Sequence, residues 1–333
     1  MTRLFTEGFE SGDVLGFDAQ YADVVASTAY KRSGNYSAFF TRASDRYLIK
    51  NVAEGSEFYF RLAFFYPLTG GANENAVFWK NNTTTLGSVV CGLSTITLKV
   101  GTSAVATGSY SQTLDGSWHL LEIHIKLDNS VGVIETKLNG ILVASFSGDT
   151  IPSTITTIDR MYIGDAASTY DVYYDDIAIN DASGSVDNSW CGDGHVIALT
   201  PSGVGNASEL TPSSGSVNYL MVDEVPSDGD TTYVSGSVAE TKDLYNFTPT
   251  GLYSGSHVVL RAFVETRTRD TSGSAPFATV IQSGSSVVEE TAQYTTLSYA
   301  SYKGTDNYLN PATGLAWTVD ELDALQAGIV IKE

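Results

Sequence analysis

Hydrolysis of a glycosidic bond needs two carboxyl groups about 5–10 Å apart, and a single strand can present them as Glu-x-Asp-x-x-Glu. The nearest approach in this chain is Glu321-Leu322-Asp323-Ala324-Leu325-Gln326. Its last carboxylate is missing, and its apolar spacing is that of a helix. A serine nucleophile would be signalled by G-x-S-x-G, which does not occur. A phosphate cradle would carry Gly-Lys-Ser/Thr after a glycine-rich loop, which does not occur either. Gly203-Val204-Gly205 lacks the third glycine and a following helix, so it reads as loop. Four histidines are few for a proton relay. His119 and His124 lie five apart, so a regular strand sends them to opposite faces and denies them a shared metal. His195 and His257 stand in apolar stretches. The acidic run Asp223, Glu224, Asp228 and Asp230 lacks EF-hand spacing and reads as a solvated turn. These patterns predict a chain without a catalytic centre.

The elements that would position any site are strands. Residues 170–181, YDVYYDDIAIND, alternate Val172, Tyr174, Asp176 and Ala178 against Tyr173, Asp175, Ile177 and Ile179. Only one of the two aspartates is then expected on any one face. This strand should close a first domain that opens at Phe9-Glu10. Within that domain the strongest strand signal is 57–66, with Phe58, Phe60, Leu62, Phe64 and Tyr66 in phase. A hairpin block follows at 118–127 and 132–146, with Asn139-Gly140 as its tight turn. A Ser/Gly-rich stretch at 183–193 reads as a linker. The second domain is expected to hold strands at 195–199, 218–222, 231–237, 239–247, 256–268, 277–282, 286–292 and 294–302, with loop over 200–216. In 256–268 the residues Val258, Leu260, Ala262 and Val264 should face the core. Near the C-terminus the period changes to helical. Thr318 and Glu321 form a capping-box pattern ahead of Leu322 and Leu325. Gly328 should stop that helix before a last strand at 329–331.

The chain has 333 residues and a formal net charge of −20. Tyr, Thr, Ser, Val and Gly dominate, favouring strands and turns. The acidic surface repels nucleic acid and anionic membranes, so neither is an expected partner. No apolar run reaches the roughly 20 residues of a membrane span. The N-terminus MTRLFTEGFESG has no apolar core of a secretory signal, and Cys91 and Cys191 do not make a disulfide framework. Synthesis in a reducing cytoplasm is the expectation.

Phe9-Glu10, Trp118-His119 before a long strand, Asn139-Gly140 after it, and Tyr174-Asp175-Asp176-Ile177 together resemble the concanavalin A-like, laminin G-like jelly roll, over residues 1–182. The resemblance implies an all-β chain whose first domain is that jelly roll. In many carbohydrate-binding jelly rolls a structural ion joins the first and last strands. The matching positions here are Glu10 with Asp175 or Asp176, and the implied ion is calcium, which takes six to eight oxygen ligands.

Residues 194–333 resemble a domain of bacteriophage virion structural proteins. The match runs through Asp230-Thr231-Thr232-Tyr233-Val234, 258–266, and Asn310-Pro311-Ala312-Thr313-Gly314 followed by Trp317-Thr318. It implies a second, smaller β-sandwich with a short C-terminal helix. It also implies a virion protein such as a capsid decoration, head-fibre or tail-associated protein. Such a protein would work by binding other virion proteins, as a homo-oligomer, and could also contact cell-surface glycans. A carbohydrate-binding adhesin is the alternative, and a polysaccharide hydrolase stands behind it. Sugar contacts would fall to exposed aromatics, for which Tyr21, Tyr30, Tyr36, Tyr47, Trp79 and Tyr110 are the candidates.

Overall fold

The computed structural model describes residues 3–20, 23–42, 44–67, 74–92, 94–110, 116–167 and 171–333. The chain divides into two compact units, Met1–Ile197 and Ala198–Glu333. The stretch read as a linker, 183–193, therefore belongs to the first unit.

The first unit is a sandwich of two antiparallel sheets, a jelly roll. One sheet runs, in spatial order, Ile141–Gly148, Gly132–Leu138, Trp118–Lys126, Glu57–Phe65, Val172–Asp181, Ser37–Phe40 and Val25–Ser27. The other runs Ser103–Ser109, Thr95–Val100, Thr84–Cys91, Glu74–Asn81, Ile158–Ala167, Ser44–Gly55 and Ala19–Gln20. Between them lies one core, built from Phe58, Phe60, Leu62 and Phe64 of one sheet and Val77, Trp79, Leu98 and Met161 of the other. Alternation puts those residues inside because each strand has only one face on the core. Leu121, Ile123 and Ile125 are core residues of Trp118–Lys126. His119 shares their phase and is buried, while His124 points the other way. Asn139 and Gly140 both have positive φ, 51° and 79°, as a two-residue hairpin turn requires.

The strand Val172–Asp181 joins the unit's two ends. It pairs with Glu57–Phe65 on one side and with both Arg3–Glu7 and Ser37–Phe40 on the other. Its alternation is not regular. The register against Glu57–Phe65 shifts between Asp175 and Ala178, and Asp176 has φ 50°. This is a β-bulge. Val172 and Tyr174 face the core before it, and Ile177 and Ile179 after it. The expectation that the two aspartates part to opposite faces fails for this reason.

The second unit is a sheet domain. Its main sheet runs Pro201–Ser208, Lys242–Phe247, Gln326–Ile331, Pro276–Ser283 and Ser286–Glu289, with Gln293–Tyr294 also paired to Pro276–Ser283. Pro201–Ser208 falls where a loop was expected, because its small residues alternate in exposure without apolar markers. No strand forms at 195–199, and Asn218–Met221 is a short 3-10 helix. The helix at Val319–Asp323 carries the expected capping box from Thr318 and Glu321. Gly328 does not stop a helix; it lies inside Gln326–Ile331. A Cβ there would stand 2.0 Å from the Asp243 carbonyl oxygen, so the strands meet too closely for a side chain. Asp243, fully buried, ties the sheet to the preceding loop. It accepts the Glu209 and Leu210 amides at 2.7 and 2.9 Å, the Asn218 amide at 2.6 Å and the Tyr245 hydroxyl at 2.8 Å. The apolar core is thin by comparison with the first unit. It consists of Leu244, Ala278, Val280 and Val330 in one cluster and Ile281, Trp317, Leu325 and Ala327 in another.

Candidate functional site

Glu10, Asp175 and Asp176 are all buried, and one loop, residues 32–36, serves all three. The Arg32 and Ser33 amides donate to Asp175 Oδ2 at 2.8 and 3.3 Å, and the Asp176 amide to Asp175 Oδ1 at 2.7 Å. The Arg32 guanidinium reaches Asp176 Oδ2 at 2.7 Å, and the Ser33 hydroxyl donates to Asp176 Oδ1 at 2.7 Å. The Asn35 and Tyr36 amides donate to Glu10 at 2.8–2.9 Å. Gly34 sits between, at φ 57°, where a Cβ would come within 2.2 Å of the Glu10 carboxyl carbon. The bulge makes this possible, because it turns both aspartates toward the same loop.

The segment after the closing strand joins the cluster. The Val196 amide donates to Asp176 Oδ1 at 2.8 Å, and His195 Nδ1 lies 3.2 Å from Oδ2. Arg32 Nη2 donates to Asp193 at 2.5 Å. Burial works against the Arg32 charge, but its bonds to Asp193 and Asp176 outweigh that and hold its pKa above the ordinary value. Burial, with the neighbouring Asp176 charge, pushes the Asp175 carboxyl up to about 8 against the pull of its amide bonds. Burial also raises Glu10, against the amides of Tyr36 and Asn35.

A calcium ion needs six to eight oxygens free to face it. Here both Asp175 oxygens accept amides, both Asp176 oxygens have donors, and both Glu10 oxygens accept amides. The Arg32 guanidinium stands against Asp176. Among the described residues no group of three or more His, Cys, Asp or Glu side chains is arranged to hold a metal. The residues present do not fit the ion.

Elsewhere on the same sheet, facing away from the core, the Tyr59 and His124 rings stack at 4.4 Å. His124 Nε2 lies 2.9 Å from Glu57 and Nδ1 3.4 Å from Glu135. Trp190 meets both rings edge-on, and Lys137 Nζ lies 3.8 Å from its ring centre. The Gly192 amide donates to Glu122 at 2.7 Å, and Arg61 donates to the Gly192 carbonyl at 3.1 Å. These polar groups satisfy one another and pin the segment 190–196 to the sheet. The cue missed in the sequence is the run Trp190-Cys191-Gly192-Asp193, read as linker. Cys191 is buried there and free, its thiol pushed up to about 11 by burial.

Of the aromatic candidates, Trp79 is core. Tyr36 and Tyr110 pack against the core, Tyr47 packs on Phe78 and Tyr162, and Tyr21 lies outside the described residues. Tyr30 is exposed. It stacks on Phe65 at 4.5 Å and meets Tyr173 edge-on at 5.0 Å. Phe39 stacks on Tyr173, and Trp118 packs on Phe65, so the five rings form a row on the sheet.

In the second unit the expected core strand is only Glu265–Thr268, paired with Ala300–Lys303. Ahead of it Ala262 bridges Asn307, and the backbone of 257–260 makes no hydrogen bond among the described residues. Val258 is therefore 85% exposed, and Leu260 is exposed too. Ala262 and Val264 do pack on the second core cluster. Next to the Ala262–Asn307 bridge Arg261 lies over the Tyr308 ring, and Leu309 bridges Ala316. Leu309 and Leu315 are exposed as well. Residues 248–260 and 307–319, the two arms of this tip, contain no charged side chain.

No family model matches the chain, and no curated protein matches it. Solved structures similar to it include an endo-β-1,4-glucuronan lyase from the fungus Trichoderma reesei. That match has 14% identity and a TM-score of 0.44, over 57% of this chain and all of that one. The alginate lyase Aly36B matches at 13% identity and TM-score 0.36, over 54% of this chain and 94% of that one. Domain 4 of AbnA, an extracellular arabinanase from Geobacillus stearothermophilus, matches at 13% identity and TM-score 0.38, over 54% of this chain and 92% of that domain. At these values the likeness is one of β-sandwich architecture alone.

Proposed function

We propose that this chain is a structural protein of a bacteriophage virion, a capsid decoration, head-fibre or tail-associated protein, that acts by protein–protein binding and not by catalysis. The observation that supports it is the tip formed by 257–260 and 309–315. In a chain of net charge −20, it combines exposed Val258, Leu260, Leu309 and Leu315 with two uncharged arms. Depletion of charge around exposed apolar side chains is what the centre of a binding surface looks like. The unclaimed backbone of 257–260 adds an edge on which another strand can pair. The resemblance of Asn310-Pro311-Ala312-Thr313-Gly314 and Trp317-Thr318 to virion domains points the same way. Here these residues build the tip itself: Asn310 is buried and receives the Gly314 amide at 2.8 Å, and Trp317 Nε1 donates to the Asn307 carbonyl at 2.9 Å.

The protein is expected in purified virions in many copies; its absence from their mass spectra sinks the reading. The pair Val258→Asp/Leu260→Asp touches exposed positions and should leave the melting temperature nearly unchanged, within about 0.5 kcal/mol per substitution. It should nevertheless dissociate the chain's oligomers in native mass measurements and remove it from particles. An unchanged mass and unchanged incorporation would place binding elsewhere.

A second reading, glycan adhesion by the first unit, is favoured by the aromatic row on which Tyr30 sits, against both Phe65 and Tyr173. Sugar rings stack on exposed aromatic rings, and Tyr30 is the exposed member of the row. Binding on a glycan array that is lost in Tyr30→Ala and indifferent to EDTA is the expected signature. Absence of binding with and without EDTA removes this reading.

A further inference from the structure

Buried carboxyls at the junction of a domain's first and last strands need hydrogen-bond donors, and a positive partner for any charge they keep, because an uncompensated buried charge is costly. The positive partner present is part of the chain. Arg32 brings a guanidinium to Asp176 Oδ2 at 2.7 Å and, through Nη2, to Asp193 Oδ1 at 2.5 Å; Nη1 also donates to the Gly194 carbonyl at 3.2 Å. Its own amide and those of Ser33, Asn35 and Tyr36 bind the other two carboxyls. The arrangement spans the unit. Glu10 follows the first strand, Asp175 and Asp176 lie in the closing strand, and Asp193–Val196 follow it.

We propose that Arg32, with the amides of 32–36, replaces a bound cation at this junction. The first unit then holds its closing strand, and the segment 187–196 beyond it, without calcium. A divalent ion beside Asp176 would meet the guanidinium at close range and would have to displace donors from oxygens that are already filled. Arg32 is suited to the part because its planar fork engages Asp176 and Asp193 at once.

The test is thermal unfolding and limited proteolysis of the full chain, with excess EDTA or with added calcium chloride. The wild-type melting temperature should be the same in both. Arg32→Met, which keeps the aliphatic stem, should lower it by roughly 6–15 °C, the range for breaking a buried ion pair on one side. It should also open the chain to protease between 190 and 196, the stretch that Arg32 and Asp176 hold in the wild type. Arg32→Lys keeps a charge without the fork and should fall between the two, giving a folded variant to measure if Arg32→Met does not fold. Wild-type stability that drops in EDTA and returns with calcium would overturn the proposal. So would an Arg32→Met chain that melts and resists protease as the wild type does.

Discussion

Gly34→Ala is expected to lower the melting temperature of the first unit by roughly 10 °C. Two costs combine. Gly34 has φ 57°, a conformation that costs a residue with a Cβ about 1–2 kcal/mol. The new methyl would also stand 2.2 Å from the Glu10 carboxyl carbon. A carboxylate at the end of a flexible chain normally swings aside at little cost. This one is buried and held by the amides of Asn35 and Tyr36, so moving it forfeits charge-assisted bonds worth about 1.5–3 kcal/mol. Calorimetry on the full chain measures the loss. The companion variant Glu10→Ala/Gly34→Ala removes the clash, and its destabilisation should fall short of the sum of the two single changes. Strict additivity would mean that the loop and Glu10 do not meet as described.

The second large effect is a dependence on pH that runs against the usual course of acid unfolding. Asp175 holds its proton up to about pH 8 in the folded chain, against an ordinary aspartate value of 3.8. Between those values the folded state carries one more proton than the unfolded state. Stability from this group is therefore complete below the unfolded value and is lost as pH rises through about 8. Within that interval the slope is about 1.4 kcal/mol per pH unit. Glu10, raised by burial, contributes with the same sign. The melting temperature should climb as pH falls from about 9 to about 6, by roughly 3–5 °C per unit. The charge next to Asp175 is Asp176, which itself faces the Arg32 guanidinium and His195, so the measurement belongs in a His195→Gln background that removes the imidazole. Asp175→Asn should flatten the slope. A slope of opposite sign, or one that Asp175→Asn leaves unchanged, contradicts this assignment.

What the sequence disclosed follows from the range of the forces involved. Residues 57–66 and 118–127 read correctly because alternation is local and one face of each strand is buried. The capping box at Thr318 and Glu321 and the turn at Asn139-Gly140 read correctly for the same reason. Each is complete within four residues. Pro201–Ser208 was hidden because an edge strand of mostly small residues, with Val204 as its one large apolar side chain, carries no apolar alternation. Residues 258–264 misled in the other direction. At 257–260 no strand of the same chain pairs with them, and Val259, from the opposite phase, packs on the core in place of Val258 and Leu260. The acids of the junction were legible as a group, while their partner was not. Nothing in Lys31-Arg32-Ser33-Gly34 announces that it will wrap carboxylates more than 140 positions away. The bulge at Asp176, which brings both aspartates to that loop, depends on the pairing with Glu57–Phe65 and leaves no mark on the local pattern.

That bulge has a consequence for how the closing strand can change. A regular strand keeps one phase from end to end, so any side chain can be exchanged on its own terms. Here a single residue resets the phase. Tyr174 before it and Ile179 after it both reach the core, although they are separated by an odd number of positions. A further residue inserted beside Asp176 would reset the phase again and send one half of the strand's apolar set outward, while deletion of Asp176 would remove the bulge together with the carboxylate that Arg32, Ser33 and Val196 bind. The strand is thus read in two frames. It should accept exchanges of residue within either frame far more readily than the gain or loss of a single position between them.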